Sequence, residues 1–163
     1  MRTMKLENLS PNTILLIKEI FKNQCLLKLI HYNTTFPLNE TNIRNFDSMF
    51  MDKIIPARFT GFVPQEQKTI LYVSFPDGQL NNNGEILNTQ VYFQIVTHKN
   101  LWLIQGKNKE KLLRPLEIIT EIYRTFNNRS IKTLGRLQFT HYSFVPIDKD
   151  FNMYILKAQM MTN

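Results

Sequence analysis

Apolar residues recur at helical spacing in two parts of the chain. Residues 11–32 carry isoleucine, leucine and phenylalanine every three or four positions, which predicts an N-terminal helix. A polar run at 22–24 interrupts this stripe, so the region is expected to form either one helix or two. Residues 114–127 show the same spacing, with charged side chains on the opposite face, and predict a further helix. Each stripe requires an apolar surface to pack against.

Other segments have the composition and the near-alternation of β-strands. The five predicted strands are 69–75, 86–97, 101–104, 132–142 and 151–160. Short turns join the first three into an antiparallel meander, and a turn at 146–148 joins the last two into a hairpin. The sequence therefore predicts one α+β domain over residues 1–163. Its mostly antiparallel five-stranded sheet is covered by the N-terminal helix and by the helix at about 114–127.

Residues 33–60 show no sustained periodicity, because prolines, asparagines and aspartates interrupt every apolar run. Irregular segments of this length inside a compact domain are usually functional. We expect either an ordered connection or an arm that reaches a neighbouring subunit.

The composition indicates a folded protein of a reducing compartment. Apolar residues make up 43% of the chain and aromatic residues 12%, which is too much for a disordered segment. Cys25 is the single cysteine, so an internal disulfide is impossible. Charged residues interrupt the most hydrophobic stretch, 14–30, and the N-terminus lacks the apolar core of a signal peptide. The sequence thus predicts neither export nor a membrane span.

The positive charge is concentrated in one quarter of the chain. The formal net charge is +7, and nine Lys and Arg against three Glu lie between Lys99 and Arg136. Such a concentration attracts a polyanion such as DNA or an acidic protein surface, although a solvated face that only maintains solubility has the same composition. The candidate DNA-facing or partner-facing basic patch comprises Lys107, Lys109, Lys111, Arg114, Arg129, Lys132 and Arg136.

Residues suited to catalysis or metal binding are sparse. The three histidines, His31, His98 and His141, lack chelating spacing, although adjacent strands could bring His98 and His141 together. Asp148 and Asp150 are spaced as in a metal-dependent nuclease, but their place at a turn favours a structural role. The glycines form no phosphate-binding motif, and no nucleophile motif is present. We therefore predict no catalytic, cofactor-binding or metal residues and no enzymatic activity.

Over residues 54–160 the order of elements resembles the tail terminator (tail completion) and neck proteins of long-tailed bacteriophages. The segments that carry the resemblance are Ile54-Ile55-Pro56, the strand Val91 to His98 with Leu101-Trp102 after it, Arg114-Pro115-Leu116-Glu117-Ile118-Ile119, and Thr133-Leu134-Gly135-Arg136-Leu137. The resemblance lies in the architecture rather than in a strict motif.

This resemblance implies a non-enzymatic virion protein, located in the tail or neck and assembled in the host cytoplasm. It implies a homo-oligomeric ring, a hexamer in preference to a dodecamer, that caps the tail tube and joins it to the head connector. DNA would pass through the bore without sequence-specific contact. The alternatives are a head-closure or other neck ring and, from another class, a small basic nucleic-acid-binding protein or metal-dependent nuclease.

Overall fold

The computed structural model describes residues 4–127, 129–132 and 134–161. Within these ranges the chain forms three α-helices: α1 Leu9–Phe21, α2 Gln24–His31 and α3 Arg114–Phe126. Short 3-10 helices occupy Leu6–Asn8, Pro37–Asn39 and Lys99–Leu101. The β-strands of the same ranges are β1 Met4–Lys5, β2 Ile54–Ile55, β3 Thr69–Ser74, β4 Gly78–Leu80, β5 Glu85–His98, β6 Leu103–Gln105, β7 Lys111–Leu113, β8 Ser130–Ile131, β9 Gly135–Pro146 and β10 Phe151–Met161.

The protein is a single α+β domain, as predicted, but its main sheet has eight strands rather than five. The central order is β2-β3-β5-β10-β9-β8, and β1 and β4 pair with the first part of β5. The sheet is mixed, because β2 runs parallel to β3. The additional strands β1, β2, β4 and β8 contain only two or three residues each. Segments that short show no readable alternation, which is why the sequence did not predict them.

The predicted three-stranded meander is wrong in its third strand. The strand β5 pairs with β3 on one side and with the C-terminal strand β10 on the other. The segment expected beside it, β6, pairs instead with β7 in a separate two-stranded sheet. Buried residues of β10, Leu156 and Ala158, lie opposite Phe93 and Val91 of β5 and complete the apolar face. The longer apolar strand β10, rather than β6, thus occupies the position beside β5.

The N-terminal stripe forms two helices, divided where the polar run predicted a break. The side chain of Asn23 accepts a hydrogen bond from the backbone N–H of Leu26 at 3.0 Å and caps the start of α2. The same side chain donates to Thr125 Oγ1 at 2.9 Å and to the Glu121 carboxylate at 3.0 Å on α3. Asn23 therefore sets the position of α2 relative to α3.

All three helices cover one face of the sheet. Their buried side chains, among them Leu16, Ile20 and Ile122, form a continuous core with the inward residues of β3, β5, β9 and β10. The rings of Phe126 on α3 and Phe93 on β5 stack at 5.4 Å at the centre of this core. The predicted helix 114–127 corresponds to α3 within one residue.

The opposite face of the sheet has a second, smaller core. Val96, Phe151 and Met153 are buried there, and Phe59 and Val63 pack against them from the segment between β2 and β3. The backbone N–H of Phe59 donates to Gln94 Oε1 at 3.0 Å. The chain after β2 therefore crosses to the face that the helices do not cover.

Residues 33–60 lie against their own domain. The amide of Gln24 brackets the backbone of Ile43, donating to its carbonyl at 2.9 Å and accepting from its N–H at 2.8 Å. Met49 and Ile54 are fully buried in the main core. The segment is thus an ordered connection along most of its length, and a role between subunits stays a prediction.

Candidate interaction surfaces

The basic residues predicted as one patch form two separate clusters. Lys107, Lys109 and Lys111 are exposed on the β6–β7 hairpin, which leads into the start of α3. The remaining cluster follows the end of α3, around β8 and the start of β9, and contains Arg129, Lys132 and Arg136. A helix of this length spans about 20 Å and separates the two clusters. Proximity in sequence therefore does not produce one continuous patch.

Arg114 does not belong to either surface cluster. Its side chain is 1% exposed, and its guanidinium donates to four backbone carbonyls: Leu101 at 2.7 Å, Leu29 and Tyr32 at 2.6 Å, and Thr34 at 2.8 Å. Burial lowers the pKa of this group to about 10, so it remains charged at neutral pH. The assignment of Arg114 to a partner-facing patch is wrong, because its donors are consumed in tying α2 to α3.

A second cation lies at the same end of α2. The Lys53 ammonium donates to the carbonyl of His31 at 2.5 Å, and burial is the main cause that lowers the pKa of Lys53. Cations at a helix C-terminus satisfy its free carbonyls and oppose the negative end of its dipole. Burial, followed by the charge of Lys53, also lowers the pKa of His31. Its Nδ1 atom has no hydrogen-bond partner among the described residues.

A groove runs between the corner of α1 and α2 and the end of α3. It consists of two adjoining hollows of about 340 and 490 Å³, which share Glu19, Lys22, Thr125 and Arg129. Cations from three elements border this groove: Lys18, Lys22, Arg124, Arg129 and Lys132. We refer to it as the basic groove. This site could not be recognised in the sequence, since Lys18 and Lys22 lie near Arg129 and Lys132 only through the packing of α1 against α3.

The outer edge of β9 is open over most of its length. On one side β9 pairs with β10 along 136–146, with a bulge at Thr140. On the other side the described residues give it two partners, Ser130 and Ile131 of β8, and one bridge from Asn127 to Leu137. On this outer side of β9, the backbone N–H and C=O groups of residues 138–146 therefore face no strand of the described residues. Such an edge is a template for pairing with another chain.

Aromatic side chains accompany the open edge. Tyr142 and Phe144 on β9 are 64% and 48% exposed, and both rings contact Tyr154 of β10. A hollow of about 380 Å³ beside them lies between β9 and α3. The rings that make up this aromatic surface are Trp102, Tyr123, Phe139, Tyr142, Phe144 and Tyr154. Aromatic residues spaced along one strand are a signal visible in the sequence, but the bulge at Thr140 shifts the alternation and conceals the shared face.

The remaining predicted residues have structural positions. Asp148 Oδ1 accepts from the backbone N–H groups of Asp150 and Phe151 at 2.8 and 2.7 Å, which confirms its role in the turn. Asp150 pairs with Lys99 at 2.9 Å, and its hydrogen bond to Lys99 lowers its pKa. Both carboxylates are therefore engaged at the β9–β10 turn.

The histidines on the strands do not meet. His98 lies opposite Phe151, whereas His141 lies opposite Lys157, about 20 Å further along β10. The alternative that places His98 and His141 together is wrong, because β10 lies between their strands. Within the described ranges, three or more histidine, cysteine or carboxylate side chains nowhere cluster as metal ligands. In the same ranges no helix combines the length and apolarity required to cross a membrane.

The fold defines a single-domain α+β protein whose distinctive features are two surfaces, an open aromatic strand edge and a cation-lined groove. The chain belongs to the YomW family, whose family model matches residues 23–162. The family name is of the Bacillus prophage type and indicates a phage-related protein. No curated protein matches the chain. The matched region contains α2, α3 and the main strands of the sheet. It also contains Thr133, one of the residues quoted above for the resemblance to phage proteins, which lies outside the described residues.

Proposed function

We propose that this protein is a structural component of the virion that assembles through the open edge of β9 into a homo-oligomeric ring. In this proposal the ring is the tail terminator, which caps the tail tube and joins it to the head connector, with DNA passing through the bore. The phage-related family supports the setting, and the open edge supports self-association. The role is geometric and requires no catalytic residue.

The open edge carries the proposal. Exposed edges usually carry Lys, Pro or a covering element that prevents pairing with another chain. The open part of β9 has no Lys, and its single Pro is at the end. Three of its nine residues are exposed aromatic or hydroxyl side chains, Thr140, Tyr142 and Phe144. Pairing of β9 with a different surface of its neighbour is head-to-tail and gives a ring where the rotation between subunits closes, whereas pairing of β9 with β9 gives a two-fold dimer. The number of subunits in the assembly therefore shows whether β9 pairs with another surface or with β9 of the neighbour.

A head-closure or other neck ring is the alternative within the same class. We expect a tail terminator to form a hexamer and a connector ring near the portal to form a dodecamer. Light scattering of the purified protein over a range of concentrations distinguishes the two. The alternative from another class is a basic monomer that binds nucleic acid, for which the exposed lysines of the β6–β7 hairpin are the supporting observation.

The functional test uses the tail tube protein of the same phage. We expect its polymerisation to stop when this protein is added in substoichiometric amount, and we expect electron micrographs to show tubes with a ring at one end. Tubes that grow to the same length with and without the protein, together with a monomeric mass under both conditions, would contradict the proposal. DNA cleavage dependent on a divalent metal and on Asp148 and Asp150 would support the nuclease alternative instead.

A further inference from the structure

The basic groove has an apolar floor beneath its cations. In the larger hollow, Leu15 of α1 and Ile131 of β8 line the surface together with Phe126 of α3. Leu15 is partly buried, while Ile131 and Phe126 are buried. The hollow of about 490 Å³ falls within the size range of ligand-binding clefts, and its polar lining surrounds these three apolar residues. The floor therefore favours a ligand that carries apolar groups as well as charge.

Three of the cations around the floor form no ion pair within the described residues: Lys18, Arg129 and Lys132. The other two are neutralised locally, Lys22 by Glu19 at 2.5 Å and Arg124 by Glu121 at 2.7 Å. The unpaired cations lie on both sides of the groove, since Lys18 is on α1 whereas Arg129 and Lys132 flank β8. Carboxylates that enter the groove can thus contact cations on either side.

Nucleic acid fits this surface less well than an acidic protein segment. Single strands bind through bases stacked on exposed aromatic rings, but Phe126, the one ring among the described residues that line this groove, is fully buried. The Glu19 carboxylate lines both hollows and would face a continuous run of phosphates. Carboxylates placed at intervals along a peptide can avoid Glu19 and still reach the unpaired cations.

We propose that the basic groove binds a segment of a partner protein in which Asp or Glu alternate with large apolar residues. The apolar side chains occupy the floor at Leu15 and Ile131, and the carboxylates pair with Lys18, Arg129 and Lys132. This site is separate from the β9 edge, so it can be tested whether or not the protein forms a ring.

The test begins with a library of random 16-residue peptides selected on the full-length protein and counter-selected on the Lys18→Glu/Lys132→Glu variant. We expect the enriched peptides to combine acidic residues with Leu, Ile or Phe. One enriched peptide, made with a fluorescent label, is expected to lose at least tenfold in affinity for the double variant. Binding should also weaken as salt is raised, because exposed charge pairs are screened.

The matched control is Lys107→Glu/Lys109→Glu, which makes the same charge change in the other cluster. We expect it to alter the affinity less than twofold, and Lys18→Gln/Lys132→Gln provides a second groove variant without reversed charge. A library that yields no acidic peptide overturns the proposal. Enriched peptides that bind Lys18→Glu/Lys132→Glu and Lys107→Glu/Lys109→Glu with equal affinity overturn it as well. A 15-nucleotide single strand that binds more tightly than any peptide, and loses this binding in the groove variants, also overturns it in favour of nucleic acid.

Discussion

Arg114 holds two helices together through backbone carbonyls. Its guanidinium donates to the carbonyl of Leu29 in the last turn of α2, to that of Tyr32 directly after the helix, and to those of Thr34 and Leu101. A buried charge is stabilising only when its donors are satisfied, and here the acceptors are fixed dipoles rather than a carboxylate. Removal of the side chain leaves a cavity and several carbonyls without donors.

We therefore expect Arg114→Ala to lower the free energy of unfolding by about 3–5 kcal/mol. Lys111→Ala, which removes an exposed cation from the adjacent strand, should change it by no more than about 0.5 kcal/mol. Urea titration monitored by circular dichroism measures both values. Equal stability of the two variants would contradict the role assigned to Arg114.

His31 makes stability depend on pH. Burial and the neighbouring Lys53 lower the pKa of His31 in the folded state, so the unfolded state binds the proton more tightly. The stabilisation is complete above the unfolded pKa of about 6.5, and it is lost as pH falls from there through the folded pKa. We expect the free energy of unfolding to decrease between pH 7.5 and 5.5 and His31→Gln to reduce that decrease.

Urea titrations at several pH values test this expectation. His141→Gln is the control for the substitution itself, since it changes an exposed histidine on β9. If His31→Gln and the wild type lose stability in parallel over this pH range, His31 is not the responsible group.

At the scale of elements, long periodic segments could be predicted and short ones could not. The spacing of apolar residues located α3 within one residue, because this helix buries one regular face. Sustained runs of apolar and β-branched residues located β3 and β5 closely. The placement of β6 failed, since strand order depends on tertiary packing and β10 lies beside β5 instead. The short strands β1 and β2 contain too few residues for any pattern.

The interaction surfaces, like the elements, could be predicted from the sequence only in part. The sequence showed the excess of basic residues but not their arrangement in space. In the fold, α3 separates Lys107 from Lys132, and the packing of α1 against α3 brings Lys18 close to Lys132. It also could not show that Arg114 is buried, since a charged residue at the start of an amphipathic helix ordinarily faces solvent. Side chains that meet only in the tertiary structure lie beyond what spacing along the chain can predict.

At the scale of the whole molecule, the sheet has unequal edges. At one end β2 and the segment after it cover β3. At the other end the described residues provide the outer edge of β9 with the two residues of β8 and a single bridge from Asn127. Self-association is therefore expected at the β9 end. A charged side chain introduced there costs desolvation when the edge pairs with a neighbouring subunit.

Assembly through β9 determines the mass of the protein in solution, which light scattering measures. Light scattering should give a discrete ring for the wild type, alone or with tail tube protein, and a monomer for Tyr142→Lys under the same conditions. Leu87→Lys is the matched control, because Leu87 is 62% exposed on β5, close to the 64% of Tyr142, and it should assemble like the wild type. If Tyr142→Lys forms the same ring as Leu87→Lys, assembly does not use the β9 edge and the account is wrong.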